Sequence, residues 1–179
     1  MLRNDSSAFL TFCWSRSLES FRNIVERYPG TPWASRAELR VRECREELAS
    51  HDADIATFYL RRGSLRAAES RLRGLLTDYP ETDATAKSLD YFAKMYAARD
   101  EPEEANLALA TLVKYHPETP QGIDAAQKLG SLDPAPGQDP LPMLVARIDE
   151  MRNQADREKV PKTVSAYSDR PGMPGGPRY

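Results

Sequence analysis

Three short segments with one shared pattern divide the chain into helices. They are RYPGTPWA at 27–34, DYPETDAT at 78–85 and YHPETPQG at 115–122. In each segment a proline ends the preceding helix, because it lacks an amide hydrogen and clashes with the turn before it. Two residues later a threonine can accept a hydrogen bond from the first free amides of the next helix. The pattern predicts a repeating array of helix pairs. The prolines and threonines concerned are Pro29, Pro80, Pro117, Thr31, Thr82 and Thr119.

Apolar residues recur at helical spacing before each of these prolines, as in amphipathic helices with one buried stripe. The last two copies also match in small and large residues, with Ala56 aligned to Ala93 and Leu72 to Leu109. Gly63 and Asp100 occupy the turn between the two helices of each pair. Alternating small and bulky positions of this kind are typical of tetratricopeptide repeats. We therefore predict an all-α fold, a tetratricopeptide-repeat solenoid of antiparallel helix pairs over residues 15–133.

The spacing of the prolines predicts one unusually long helix. Pro29 and Pro80 are 51 residues apart, whereas Pro80 and Pro117 are 37 apart. The extra length is predicted to be helix, from Trp33 to Arg62, with one continuous apolar seam along it. Cys44 and His51 are expected to be packed residues of this seam. The seam consists of Ala37, Val41, Cys44, Leu48, His51, Ile55 and Phe58. The first repeat is incomplete: residues 1–14 form a poorly defined remnant, and Leu18, Phe21 and Val25 would need cover from upstream sequence or a partner.

The C-terminal part of the chain differs in composition from the repeats. Residues 134–158 combine a proline-rich linker with a short amphipathic helix, which we expect either to cap the last repeat or to dock onto a partner. Its stripe consists of Leu141, Leu144, Val145, Ile148 and Met151. Residues 159–179 are rich in proline and glycine and poor in apolar side chains. We predict that they form a disordered tail.

Composition excludes several classes of function. Lys and Arg number 25 against 27 Asp and Glu, so the net charge of −2 provides no attraction for nucleic acid. Two histidines and two cysteines are too few for a zinc cluster. No stretch approaches the roughly 18 apolar residues of a membrane-spanning helix. Because there is also no phosphate-binding loop and no nucleophile motif, we predict no enzyme activity, no metal and no cofactor.

The repeats from Ser17 to about Leu129 are similar to one known family. SFRNIVERYPGTPWA, the long helix after it, and IATFYLRRGSLRAAESRLRGLLTDYPET together resemble the BamD (ComL) family of outer-membrane assembly lipoproteins. The resemblance covers the C-terminal half to two-thirds of that family's repeat array. It implies a non-enzymatic scaffold on the periplasmic face of the outer membrane, in the machinery that inserts β-barrel proteins.

The resemblance also implies partners: the POTRA domains of BamA, other subunits of the machinery and unfolded outer-membrane proteins. The chain departs from the family pattern in three ways: no signal peptide or lipobox precedes Cys13, the family's first two repeats have no counterpart, and a tail follows Pro134. The expectation is thus an N-terminally truncated member, with membrane contact only through a lipid anchor absent from this chain. The alternative is a soluble repeat adaptor, periplasmic or cytoplasmic, that binds peptides or partner helices in its concave groove.

Two sets of side chains are candidates for partner binding. By the resemblance, Arg71 is the arginine offered to BamA; Arg66 and Arg73 lie on the same helix off its apolar stripe, and guanidinium groups suit carboxylates at interfaces. A solvated helix face whose arginine stems cover apolar neighbours is the equally weighted alternative. First helices of the pairs should line the concave groove with Ala53, Thr57, Leu60, Lys87, Asp90, Tyr91 and Lys94. Ala53, Thr57 and Asp90 are wrong for clamping the terminal carboxylate of a peptide.

Overall fold

The computed structural model describes residues 5–130 and 137–159, with side chains at 11–130 and 137–154. The described residues form helices joined by short turns, so the predicted all-α repeat fold is confirmed. The helices are α1 (Asp5–Arg27), α2 (Pro32–Arg61), α3 (Leu65–Asp78), α4 (Asp83–Ala98), α5 (Pro102–Tyr115), α6 (Pro120–Leu129) and α7 (Pro140–Lys159). None of the helices within these ranges is long and apolar enough to cross a bilayer.

The repeated segments start helices as the sequence predicts. The hydroxyl oxygens of Thr31, Thr82 and Thr119 accept hydrogen bonds from the amides three residues later, at 3.2, 3.3 and 3.1 Å. Each bond satisfies one of the amides that a helix start leaves without a partner. Gly63 and Asp100 have φ values of 72° and 61°, which confirms the two matching turns inside the pairs.

Gly122 marks a close approach of two backbones at the third segment. A Cβ atom at this position would lie 1.9 Å from the carbonyl oxygen of His116. That carbonyl accepts hydrogen bonds from the amide and the hydroxyl of Thr119. A residue without a side chain is therefore required in the first turn of α6.

The helices pack in layers. Helices α2, α4 and α6 are the first members of successive pairs, α3 and α5 are the second members, and α7 lies across α3 and α5. One core joins α2 to α7 and includes the fully buried side chains of Leu72, Phe92, Tyr96, Leu112 and Leu144. The layer arrangement is that of a helical-repeat solenoid in which each pair packs on its neighbours.

The long second helix is confirmed, but its predicted seam is wrong at Phe58, whereas His51 and Ile55 are half-buried. Phe58 is 51% exposed, and the buried residues of the second half are Ala49 and Ala56. Cys44 and Leu48 pack against Leu18 of α1, whereas Ala49 packs against Leu75 and Ala84 of α3 and α4, and Ala56 belongs to the main core. Because a strict seven-residue repeat drifts around a straight helix, and because the neighbours change, the buried face rotates along α2.

Helix α1 differs from the expected remnant. It runs without a break from Asp5 to Arg27, so the boundary predicted after residue 14 falls inside it. Leu18 is buried against Cys44 and Leu48, while Phe21 is half-buried beside them. The expectation that Leu18 needs cover from outside is therefore wrong, because α2 supplies it. Burial raises the pKa of the Cys44 thiol, consistent with its predicted role as a small apolar residue in the core.

The amphipathic segment near the C-terminus forms α7 and docks on the same molecule. Leu144 and Ile148 are fully buried in the main core. Their contacts are with α3 and α5, so α7 covers the second helices of the two complete pairs on the same molecule. The reason is that α3 and α5 present an apolar surface that the α7 stripe matches. The predicted disordered tail lies outside the described residues, apart from Lys159 at the end of α7.

Candidate functional site

The three candidate arginines of α3 point to two different neighbours. Arg73 Nε lies 2.8 Å from a carboxylate oxygen of Asp149 on α7. Arg66 donates a hydrogen bond of 3.4 Å to the carbonyl oxygen of Arg152, also on α7. Arg71 instead pairs with Asp52 on α2, at 3.1 Å. Residues seven apart share a helix face, so the structure groups Arg66 with Arg73 and separates Arg71 from both.

Arg71 is the most accessible of the three toward solvent. Its side chain is 46% exposed, and its partner Asp52 is 31% exposed. A half-exposed ion pair of this kind contributes little to folding. The guanidinium group has five N–H donors, and the Asp52 contact uses only part of that capacity. Arg71 is thus positioned to bind a further carboxylate.

The second candidate set forms one charged face of α4. Lys87, Tyr91 and Lys94 are exposed, and Lys94 Nζ donates a hydrogen bond of 2.6 Å to Asp90. Asp90 and Lys94 line a groove of about 320 Å³ between α4, α5 and α6. The structure therefore brings all four residues together on one helix and places two of them at a groove.

Sequence reasoning missed the opposite wall of this groove. Apolar and small residues of α4 and α5 line it, together with a carboxylate from the turn, an amide side chain from α5 and a lysine from α6. They are Ala93, Ala97, Asp100, Pro102, Ala105, Asn106, Leu109 and Lys128. The matched small positions of the repeat were the available signal, because small residues let helices approach and leave a concave surface beside them. Ala53, Thr57 and Leu60 of α2 are half-buried and not part of this groove.

Sequence reasoning also missed a set of contacts, here called the clamp, that Arg45 and Glu46 of α2 make with the second repeated segment, 78–85. The carboxylate of Glu46 accepts hydrogen bonds of 2.9 Å from the amides of Asp83 and Ala84, at the start of α4. Arg45 pairs with Glu81 and donates to the carbonyl oxygen of Asp78 at 2.6 Å. The positive end of the α4 dipole favours the Glu46 carboxylate. These contacts hold α2 against the turn between α3 and α4.

One buried carboxyl group lies inside the central core. Glu69 is buried and accepts a hydrogen bond of 3.3 Å from the hydroxyl group of Tyr96. Desolvation raises the pKa of Glu69 to about 7, and the nearby Glu101 adds to the shift. Within the described part of the chain, no three acidic, histidine or cysteine side chains come together as metal ligands would.

Comparisons with known proteins identify relatives of the repeat region. The family model YfiO, "Outer membrane lipoprotein", matches residues 13–112, more than half of the chain. The "Outer membrane protein assembly factor BamD" of Vibrio cholerae is 38% identical over 76 residues, 42% of this chain and 32% of that protein. The protein of the same name in Caulobacter vibrioides is 28% identical over 126 residues, 70% of this chain and 41% of that protein.

The Haemophilus influenzae protein of that name is 32% identical over 80 residues, 45% of this chain and 30% of that protein. In these three comparisons the chain therefore spans between about a third and two-fifths of the length of the curated relatives. No solved structure matches the chain significantly.

Proposed function

The chain belongs to the YfiO family of outer membrane lipoproteins, and we propose that it is a non-enzymatic scaffold for the assembly of outer-membrane β-barrel proteins. The relatives it matches carry the name of an outer-membrane protein assembly factor. The matched residues 13–112 include most of α1 and run through α2, α3 and α4 into α5. By this proposal the chain acts at the periplasmic face of the outer membrane, through its surfaces.

We infer that the Arg71 surface binds the POTRA region of a BamA-type subunit. The observation that carries this inference is the position of Arg71, which is half-exposed on α3 and paired with the Asp52 carboxylate of α2. The buried Leu72, Leu75 and Leu76 hold that helix in place. A partner carboxylate would exchange with Asp52 or share the guanidinium group with it. Arg66 and Arg73 would contribute indirectly, because they hold α7 against α3.

The test is to measure the affinity of the chain for purified POTRA domains with the substitution Arg71→Glu. We expect the dissociation constant to rise at least about tenfold, since the change replaces an attraction by a repulsion. Arg40→Glu is the matched control, because Arg40 is also an exposed arginine paired with a nearby carboxylate, Glu43. Unchanged helicity by circular dichroism should accompany the loss. Equal affinities of the Arg71→Glu and Arg40→Glu proteins would refute the assignment.

A second substitution sharpens the test. Asp52→Asn removes the internal competitor for Arg71 without changing the size of the side chain. We expect it to leave POTRA binding unchanged or to strengthen it. Weaker binding in Asp52→Asn than in the parent protein would mean that the Arg71–Asp52 pair, rather than Arg71 itself, is what the surface needs.

The groove beside α4 favours a second candidate function, that of an adaptor which binds extended peptides, including unfolded outer-membrane proteins. Its walls are apolar and its rim carries Asp90, Lys94 and Lys128. A fluorescent peptide from a barrel strand should bind the parent protein and lose affinity with Ala97→Glu, which places a charge at an exposed position of the groove wall. Lys87→Glu is the control, since Lys87 is on the same helix but does not line the groove. Loss of binding in both variants or in neither would count against the groove.

A further inference from the structure

A concave apolar face lies on the N-terminal pair, between the end of α1 and the first half of α2. It forms a groove of about 350 Å³. Phe21 and Ile24 of α1 line one wall, and Trp33 and Leu39 of α2 line the other. Trp33 is 67% exposed and Leu39 is 53% exposed. Within the described residues α1 contacts no helix other than α2, so that part of the chain does not cover this face.

An apolar face at the end of a helical array needs a cover, because terminal repeats stay soluble by presenting a polar outer surface. In the central repeats α7 provides one, since Leu144 and Ile148 are fully buried in the core that α7 shares with α3 and α5. Exposed apolar surface that is bordered by polar residues marks a contact with another chain. The groove between α1 and α2 has this character.

The charged side chains of the groove indicate which chain fits it. Arg36, Arg40 and Glu43 line the groove and lie on one face of α2, because they are four and three residues apart. Arg40 pairs with Glu43, and the two side chains are 62% and 55% exposed. Arg36 is exposed and lies 5.6 Å from the centre of the Trp33 ring. The face thus has positive charge toward the start of α2 and a carboxylate toward its middle.

This order of charges is complementary to itself. When two copies of α2 run antiparallel about a twofold axis between Leu39 and Arg40, Arg36 of each copy lies opposite Glu43 of the other. Glu43 then lies between Arg40 of its own chain and Arg36 of the other. The two Leu39 side chains meet at the axis, beside Phe21 in the same groove. An apolar centre with a charged rim is the typical composition of a protein interface.

We propose that this face binds a second copy of the chain, in a symmetric dimer with antiparallel α2 helices. Its eight lining residues per copy are few beside the roughly 20 to 30 of a standard interface, so we expect a weak dimer. The dissociation constant should be on the order of 10 μM. The dimer does not depend on the Arg71 surface, because Asp52, the partner of Arg71, lies nine residues beyond Glu43 on α2.

Sedimentation equilibrium between about 1 and 200 μM measures the association. We expect Leu39→Lys to raise the dissociation constant at least about tenfold, since each new ammonium group lies opposite Arg40 of the other copy. Ile123→Lys is the matched control, because Ile123 is 52% exposed and lies on α6. Circular dichroism checks that both variants are folded. A parent protein that stays monomeric over this range would overturn the proposal and assign the groove to a different protein, and equal association of the Leu39→Lys and Ile123→Lys proteins would overturn it as well.

Charge reversal tests the antiparallel arrangement. Arg36→Glu and Glu43→Arg should each weaken the dimer at least about tenfold, because each substitution brings like charges together at both symmetric contacts. An equimolar mixture of the two variants should recover most of the parent affinity, since every contact then joins a positive side chain to a negative one. Arg42→Glu is the control, because Arg42 is an exposed arginine of α2 that lines a different groove. A mixture that associates no better than the single variants, or an equal loss in Arg42→Glu, would overturn the proposed dimer.

Discussion

The N-terminal pair, α1 with the first half of α2, and the central repeats, α3 to α5 with α7, follow one helical pattern but are packed very differently. The N-terminal pair shares a small cluster of three buried residues, Leu18, Cys44 and Leu48. The core of the central repeats joins six helices from α2 to α7. Large apolar side chains are left exposed at the N-terminal pair, with Trp33 at 67% and Phe12 at 62%.

The comparison shows how neighbours determine stability in a helical array. In such an array each pair gains most of its stability from the pairs beside it. Within the described residues, the central repeats have neighbours on each side and contact α7, while α1 contacts no helix other than α2. Stability should therefore be concentrated between α3 and α5, and α1 should open with a lower free energy than the rest.

The largest expected effect is the contrast between two leucine-to-alanine substitutions. Leu72→Ala creates a cavity in the central core, where Leu72 is fully buried, and we expect it to lower the free energy of unfolding by about 4 kcal/mol. Leu18→Ala acts on the small cluster and should cost about 2 kcal/mol. Urea unfolding measures both values. Equal losses in the free energy of unfolding would contradict the proposed difference in packing between the two regions.

The pH dependence of unfolding should reveal the buried carboxyl group of the central core. The pKa of Glu69 is about 7 in the folded protein, against an ordinary value of 4.5. The folded state then holds this proton more tightly than the unfolded state, so stability falls as pH rises from about 4.5 to 7. Glu69→Gln should therefore increase the free energy of unfolding at pH 8 by about 2 to 3 kcal/mol, and have little effect below pH 4.5.

Thermal unfolding at pH 4 and pH 8 measures this difference. Glu118→Gln is the control, because Glu118 is exposed. A Glu69→Gln protein that is no more stable than the parent protein at pH 8 would mean that Glu69 is not desolvated in the folded state.

Helix α7 should stabilise the central repeats through an ion pair as well as through its apolar stripe. Arg147 Nε lies 2.7 Å from Glu104, whose side chain is only 6% exposed. Arg147→Ala leaves that carboxylate without its cation, and we expect a loss of about 1 to 2 kcal/mol because the arginine is partly exposed. Adding Glu104→Gln should restore part of the loss. No restoration in the double variant would show that Arg147 acts through packing of its stem.

The smallest predicted effect concerns the connection between the two regions. Glu46→Ala removes the carboxylate that caps α4, and we expect a loss of about 1 kcal/mol. Glu47→Ala, at an exposed neighbouring position, should have almost no effect. If Glu46→Ala also weakens the protection of α4 amides from hydrogen exchange but not that of α1 amides, the clamp stabilises the central repeats. The reverse pattern would assign it to the N-terminal pair.

The features that could be predicted from the sequence are those that depend on neighbours in the chain. A proline followed by a threonine determines where one helix ends and the next begins, and α2, α4 and α6 begin as these residues predict. The long α2 and the amphipathic α7 follow from the spacing of prolines and apolar residues. The turn at Asp100 follows from its match to Gly63.

The features that could not be predicted depend on contacts between distant residues. Arg73 and Asp149 are 76 residues apart, so the sequence could not separate Arg73 from Arg71. The rotation of the buried face of α2 depends on which helices pack on each half. Likewise, the burial of Glu69 could not be predicted from its position in the helix, because it depends on Tyr96 and the core around it.

The most direct test of the proposed function is amide hydrogen exchange of the chain with and without the purified POTRA region of a BamA-type subunit. We expect slower exchange in α3 around Arg71 and in α2 around Asp52, with no change in α1. Protection confined to α1, or no change in any helix at concentrations that saturate the binding of a full-length assembly factor, would contradict it.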